Sequence, residues 1–149
     1  MKQVAISACL LGCNCRYDAK ENFNEKLLQS LKDYELVPFC PEDHCFGTPR
    51  PTMDLVKQTD KIVAISNENQ KNLSIPIQRY AQDFFEQYPN IELFIGKDRS
   101  PSCGVESAKV YDVNKNLLHT QGTGLMTEIA LEFGIECWDA EVYVHYVNN

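Results

Sequence analysis

Seven cysteines stand in a chain of 149 residues, at positions 9, 13, 15, 40, 45, 103 and 137. Thiolates bind soft metals and iron–sulfur clusters, attack electrophiles, or pair as disulfides. The count is odd, and Met1-Lys2-Gln3 leads straight into a short strand-like run without the apolar stretch of a secretory leader. A disulfide framework is therefore not the expectation, and metal binding or redox chemistry is. The bland alternative is that some cysteines are small buried hydrophobes. Three segments hold the other chemistry. Ser7 to Asp18 (SACLLGCNCRYD) runs from a strand-like stretch into a loop with three cysteines, a glycine and Arg16. Its C-x3-C-x-C spacing is not that of a zinc finger. Cys40 to Cys45 (CPEDHC) is followed by Gly47-Thr48-Pro49-Arg50. Pro41 forbids a helix continuing through Cys40 and stiffens a loop there. Its Cys, Glu and His side chains have the donor types of a zinc site, although Asp43 and His44 read more simply as solvated loop residues. Lys97 to Gly104 (KDRSPSCG) reads as a tight loop in which N–H groups and hydroxyls converge to hold a thiolate or an anion. A nucleophilic Cys103 needs a histidine partner, and nothing places His119 or His145 near it.

These loops need elements to position them. Lys2–Ser7, Glu35–Phe39, Lys61–Ser66, Ile91–Gly96 and Ile135–Trp138 read as short strands. Residues 24–34 place Leu27, Leu28, Leu31 and Tyr34 on one helical face. Residues 74–88 form the clearest helix, with Ser74 as its cap, Pro76 in its first turn, and Ile77, Tyr80, Ala81, Phe84, Phe85 and Tyr88 as a core stripe. Ala108–Val113 and Leu117–Gln121 flank Asn114-Lys115-Asn116 as a hairpin. Thr123 caps a last helix carrying Leu125, Ile129 and Phe133, which stops at Gly134. Gly122-Thr123-Gly124 is either that cap and turn or a set of N–H groups offered to an anion. Strands alternating with helices predict one α/β domain over residues 1–149. It has a mostly parallel Rossmann-like sheet flanked by helices, with a small β-hairpin. Cys9 then follows the first strand, Cys40 the second, and Cys103 the strand at 91–96. Ligands collect at the carboxyl ends of parallel strands, so these three cysteines are expected to meet at one sheet edge.

The composition narrows the partners. With 14 Lys and Arg against 21 Asp and Glu, the formal charge is −7. That charge disfavours non-specific nucleic-acid binding. No apolar run is long enough to span a bilayer. With no leader visible, a cytoplasmic protein without a membrane partner is the expectation.

The ordered set SACLLG-x2-CRYD, CPE, TPR and SPSCG is far more specific than any of its parts. It resembles the bacterial thiouracil desulfidase (TudS) family, formerly a domain of unknown function, over about Ala5 to Leu125. The resemblance implies a [4Fe–4S] cluster held by only three cysteines, matching Cys9, Cys40 and Cys103, with Cys15 also inside the recurrent motif. It implies loss of sulfur from a thiolated uracil base or nucleotide (2-thiouracil, 4-thiouracil or 4-thio-UMP) as hydrosulfide, without net redox change. The family's important glutamate and serine match Glu42 and Ser100. Glu42 would move a proton, and Ser100 would orient water or relay that proton. The iron without a cysteine would accept a soft thiocarbonyl sulfur and act as a Lewis acid. The chain departs from the family at Asp43 to Thr48, where a Gly-Gly-Leu type loop is common, and at Ala19, where RYDG is common. Relatives acting on tRNA carry a further domain, so a small thiobase or thionucleotide is the expected partner. Arg16 and Arg50 either pair with a substrate phosphate or brace the pocket rim, through Asp18 for example. Cys13, Cys45 and Cys137 lie outside the motif. A different class also accounts for the cysteine excess: a non-catalytic zinc or iron–sulfur sensor or structural module.

Overall fold

The computed structural model describes residues 2–14 and 24–148. In chain order its elements are β1 (Gln3–Ser7), a 3-10 turn (Ala8–Leu11), α1 (Glu25–Ser30), β2 (Glu35–Phe39), α2 (Pro41–Phe46), β3 (Met53–Gln58), β4 (Lys61–Ser66), α3 (Ser74–Gln87), β5 (Ile91–Gly96), β6 (Ala108–Tyr111), β7 (Leu117–Gly122), α4 (Leu125–Glu132), β8 (Glu136–Asp139) and α5 (Ala140–Val147). They build an α/β fold. One sheet is fully parallel, in the order β2-β1-β5-β8. Both of its faces are covered, as parallel sheets require. Val4 and Ile6 of β1 point to one side, with Leu27, Leu31, Ala140 and Tyr143 of α1, its following turn and α5. Ala5 points to the other, with Ala81, Phe84 and Phe85 of α3 and Met126 and Ala130 of α4.

The expected hairpin is present but is not an appendage. β6 and β7 pair antiparallel within a second four-stranded sheet, ordered β4-β3-β6-β7. β4 joins that sheet, antiparallel to β3, rather than the parallel one. Ile77 and Leu125, at the starts of α3 and α4, pack on its Leu55, Ala64, Ala108 and Val110. The layers therefore run α1 and α5, parallel sheet, α3 and α4, second sheet.

Several local expectations are corrected. Ser74 does not cap α3: its Oγ accepts the Ala64 N–H at 2.9 Å, tying the helix start to β4. Leu73 holds the N-cap position, and Asn72 Oδ1 takes the Ser74 N–H. Thr123 does not cap α4 either; its hydroxyl donates to the Val105 carbonyl at 2.9 Å, and Gly124 is the N-cap. The helix expected over 24–34 ends at Ser30, with Asn24 Oδ1 capping the Leu27 N–H. The segment after Cys40 is a helix rather than a loop. Pro41 occupies its first position, where proline's missing N–H costs nothing. No helix among the described residues is long and apolar enough to cross a membrane.

Candidate active site

β1, β2 and β5 run parallel and side by side, so their carboxyl ends open on the same edge. A cavity of about 370 Å³ lies there, lined by Ser7 to Cys9, Phe39 to Glu42, Arg50, and Lys97 to Cys103. Cys9, Cys40, Cys103, Glu42, Ser100 and Arg50 are thus brought together from three strand ends. Cys9 sits in the 3-10 turn that immediately follows β1, and it is buried. That turn closes on Gly12, whose φ of 93° is left-handed and whose N–H donates to the Cys9 carbonyl at 3.3 Å. Cys40 is the residue before α2, and its N–H donates to the Tyr80 hydroxyl at 3.2 Å. Burial first of all pushes the Tyr80 phenol up to about 12.

Cys103 is held by its loop. Ser100 Oγ accepts the N–H groups of Ser102 and Cys103 at 3.3 and 3.1 Å, folding the turn over Pro101. Behind the turn, the N–H groups of Gly124, Leu125 and Met126 donate to the carbonyls of Gly104, Pro101 and Ser102. The N-terminus of α4 therefore spends its free donors on the cysteine loop, not on an anion. Further on, Asp139 accepts the Val105 and Glu106 N–H groups and the Ser107 hydroxyl at 2.7–2.8 Å. Ser107 Oγ in turn accepts the Arg99 N–H.

Glu42, in the first turn of α2, points at the same loop. Its Oε2 accepts the Ser102 hydroxyl at 2.6 Å, and its Oε1 lies 3.5 Å from Arg50 Nε. The two side chains of this ion pair are only 13% and 5% exposed. Arg50 also donates from Nη1 to the Gly47 carbonyl and to Thr48 Oγ1. Its guanidinium therefore braces the rim and the carboxylate.

Burial pushes the Cys103 thiol well up. The Ser102 hydroxyl acts in the opposite direction, and Glu42, Cys40 and Cys9 add to the upward push. Ionising these sulfurs together therefore needs a cationic centre among them. A cluster core with cysteine thiolates on separate irons is such a centre, and the donor set fits it. Among the described residues, no group of three or more His, Cys, Asp and Glu side chains is arranged to hold a single metal ion.

Other candidates lie elsewhere. Cys13 is exposed and Cys45 is half-buried on α2, and neither lines the cavity. Cys137, in β8, donates to the Ile135 carbonyl. His44 is exposed and makes a tilted ring contact with Tyr80, with centroids 5.0 Å apart. Asp43 is exposed and accepts the Thr48 hydroxyl. Neither His119 nor His145 lines the cavity. Cys15, Arg16 and Asp18 lie outside the described residues. Ser102 and Lys97 line the cavity without having been singled out from the sequence. Ser102 directly precedes Cys103, and Lys97 follows β5 as Ala8 follows β1; that strand-end position was the available signal. Burial lowers the Lys97 ammonium from its ordinary value, with Arg99 acting in the same sense.

The fold and cavity define a parallel α/β protein with a thiol-lined pocket at its strand ends. The family model of 2-thiouracil desulfurase matches residues 4–141, and the chain belongs to that family. It is 28% identical over 144 residues to the uncharacterized protein YbbK of Bacillus subtilis (strain 168), covering 88% of this chain and 91% of that one. Among solved structures it is similar to the [4Fe–4S]-dependent thiouracil desulfidase TudS, with a TM-score of 0.75 and 25% identity. That match covers 95% of this chain and 92% of the other.

Proposed function

We propose that this protein removes sulfur from a thiolated uracil base or nucleotide, with a [4Fe–4S] cluster held by Cys9, Cys40 and Cys103. The observation that carries this reading is the meeting of three cysteine-bearing strand ends and Glu42 on one cavity, in a chain of the desulfurase family. When bound, the cluster would supply a soft, Lewis-acidic iron for a thiocarbonyl sulfur.

The protein's own groups do the rest. Glu42 takes the proton of the water that adds to the thiocarbonyl carbon and returns it to the departing sulfur. Water supplies the oxygen of the new carbonyl; as the C–S bond breaks, the added hydroxyl loses its remaining proton to solvent, sulfur leaves as hydrosulfide, and no electrons are gained or lost. Ser100 serves this proton traffic from the same wall of the cavity. Arg50 keeps Glu42 aimed inward while its fork holds the Gly47–Thr48 turn. A cavity of about 370 Å³ is at the small-ligand end of pocket sizes. That size and the charge of −7 favour a free base or nucleotide over tRNA.

The test is anaerobic reconstitution, with iron and sulfide counted, followed by sulfide release from 2-thiouracil, 4-thiouracil and 4-thio-UMP. Four irons per chain and stoichiometric hydrosulfide are expected. Cys9→Ala, Cys40→Ala and Cys103→Ala should each lose the cluster. A colourless protein carrying only zinc, or a loaded protein inert on all three compounds, would overturn the reading.

A further inference from the structure

Ser100 and Glu42 have no hydrogen bond to each other among the described residues; Ser102 stands between them. Its Oγ lies 2.6 Å from Glu42 Oε2, 3.1 Å from Ser100 Oγ and 3.3 Å from Cys103 Sγ. A hydroxyl has one proton and two acceptor sites. Ser102 gives its proton to Glu42, so at the contact between the two hydroxyls Ser100 is the donor. Ser100 then has a single outlet. Its oxygen is taken by the N–H groups of Ser102 and Cys103, and its own proton points to Ser102 Oγ. The backbone fixes this geometry from outside the cavity, because the Ser102 carbonyl accepts the Met126 N–H at 2.8 Å at the start of α4.

We propose that Ser102 is the positioning residue of the site: it holds the Glu42 carboxylate and is the link through which Ser100 acts on it. The inference rests on the desulfidase reading for its kinetic consequence but not for its structural one. With Ser102 gone, Glu42 keeps only Arg50 among the partners named here, and the two halves of the proton path separate. Removal of an outer partner that orients a working group typically costs about 10–100-fold in activity. The loss should fall on kcat, because Ser102 orients a group that works on the reacting atoms rather than one that binds the base.

The experiment compares wild type, Ser102→Ala, Ser102→Thr and Glu42→Gln. Glutamate is 13C-labelled, and infrared spectra are taken on the cluster-free proteins. Subtracting the Glu42→Gln spectrum isolates the Glu42 carboxylate band. Ser102→Ala should shift that band, and Ser102→Thr, which keeps the hydroxyl, should return it. In reconstituted proteins, Ser102→Ala should keep its iron and lose kcat about 10–100-fold with KM little changed, and Ser102→Thr should recover most of the loss. A Glu42 band unmoved by Ser102→Ala, or kcat within about twofold of wild type at full iron content, overturns the proposal. If Ser102→Ala fails to load iron, the infrared comparison still decides. If wild type itself releases no sulfide, the desulfidase reading fails, while the band still shows whether Ser102 holds Glu42.

Discussion

Glu42 is held on both oxygens at the cavity wall, by the Ser102 hydroxyl on one side and the Arg50 ion pair on the other. Glu42→Gln preserves size and hydrogen-bonding capacity but cannot take up a proton. It is expected to lower kcat by about 10²–10⁴-fold, the usual worth of a general acid–base group, while iron content stays at the wild-type level. Single-turnover sulfide release at matched iron loading measures this, and a normal rate would remove Glu42 from the chemistry. At this scale much of the site is legible from residue types. Cysteine, glutamate and arginine have few other reasons to cluster at strand ends, and Cys9, Cys40, Cys103, Glu42 and Arg50 line one cavity. The division of labour between two serines is not legible. Ser100 and Ser102 flank one proline, and only the turn shows the difference. Ser100 folds back onto two N–H groups of its own loop, whereas Ser102 reaches a residue 60 positions away.

Between elements, the cysteine loop is clamped by close backbone approach as well as by side chains. A Cβ on Gly124 would lie 2.4 Å from the Ser102 carbonyl carbon and 2.5 Å from the Cys103 nitrogen. One on Gly96, at the end of β5, would lie 1.8 Å from the Cys103 carbonyl oxygen. Neither neighbour is the flexible end of a side chain, so the loop itself must move. Gly124→Ala is therefore expected to reduce iron incorporation severalfold while far-ultraviolet circular dichroism stays native. Full iron loading in this variant would show that the loop has slack. The elements differ in how plainly they announce themselves. α3 is legible because its apolar residues recur at helical spacing, and β1, β2 and β5 because each is a short apolar run. β3 is masked by its polar residues: Met53 and Leu55 are buried, but Asp54, Lys57 and Gln58 interrupt the pattern. α2 is hidden by its proline, which marks a helix start as readily as a loop. α5 (AEVYVHYV) is rich in β-branched and aromatic residues, whose local preference is for strands. It is a helix because Ala140 and Tyr143, three apart, pack on the parallel sheet.

At the level of the whole molecule, α3 and α4 serve two sheets at once, a sharing that sequence periodicity does not reveal. Phe85 packs in the cluster beneath the parallel sheet, in ring contact with Phe84, Phe94 and Phe133, while Ile77 of the same helix packs on the second sheet. Phe85→Ala should cost about 3–5 kcal/mol and shift a single unfolding transition in denaturant. Two separated transitions would show that the sheets unfold independently. The region that seats α5 carries the opposite kind of term, a buried charge. Asp98 is buried, and its Oδ1 accepts the Glu141 N–H at 2.9 Å. Burial raises its carboxyl above the ordinary value; the Glu141 N–H offsets this in part, and the charges of Asp139 and Glu141 add to the rise. A carboxyl raised on folding stabilises the protein fully only below its unfolded value of about 3.9. That contribution is lost as pH climbs through the folded value. At neutral pH the ionised Asp98 is therefore a net cost. Asp98→Asn keeps an acceptor for Glu141 and removes the charge, so it should raise Tm at pH 7. The advantage should shrink as acid protonates the wild-type carboxyl and vanish once both chains are neutral at this position. Paired melting curves from pH 7 down to about pH 4 measure it. A variant that melts lower at pH 7 would mean that the charged form is worth more, through its hydrogen bond to α5 and the nearby Lys97, than its burial costs.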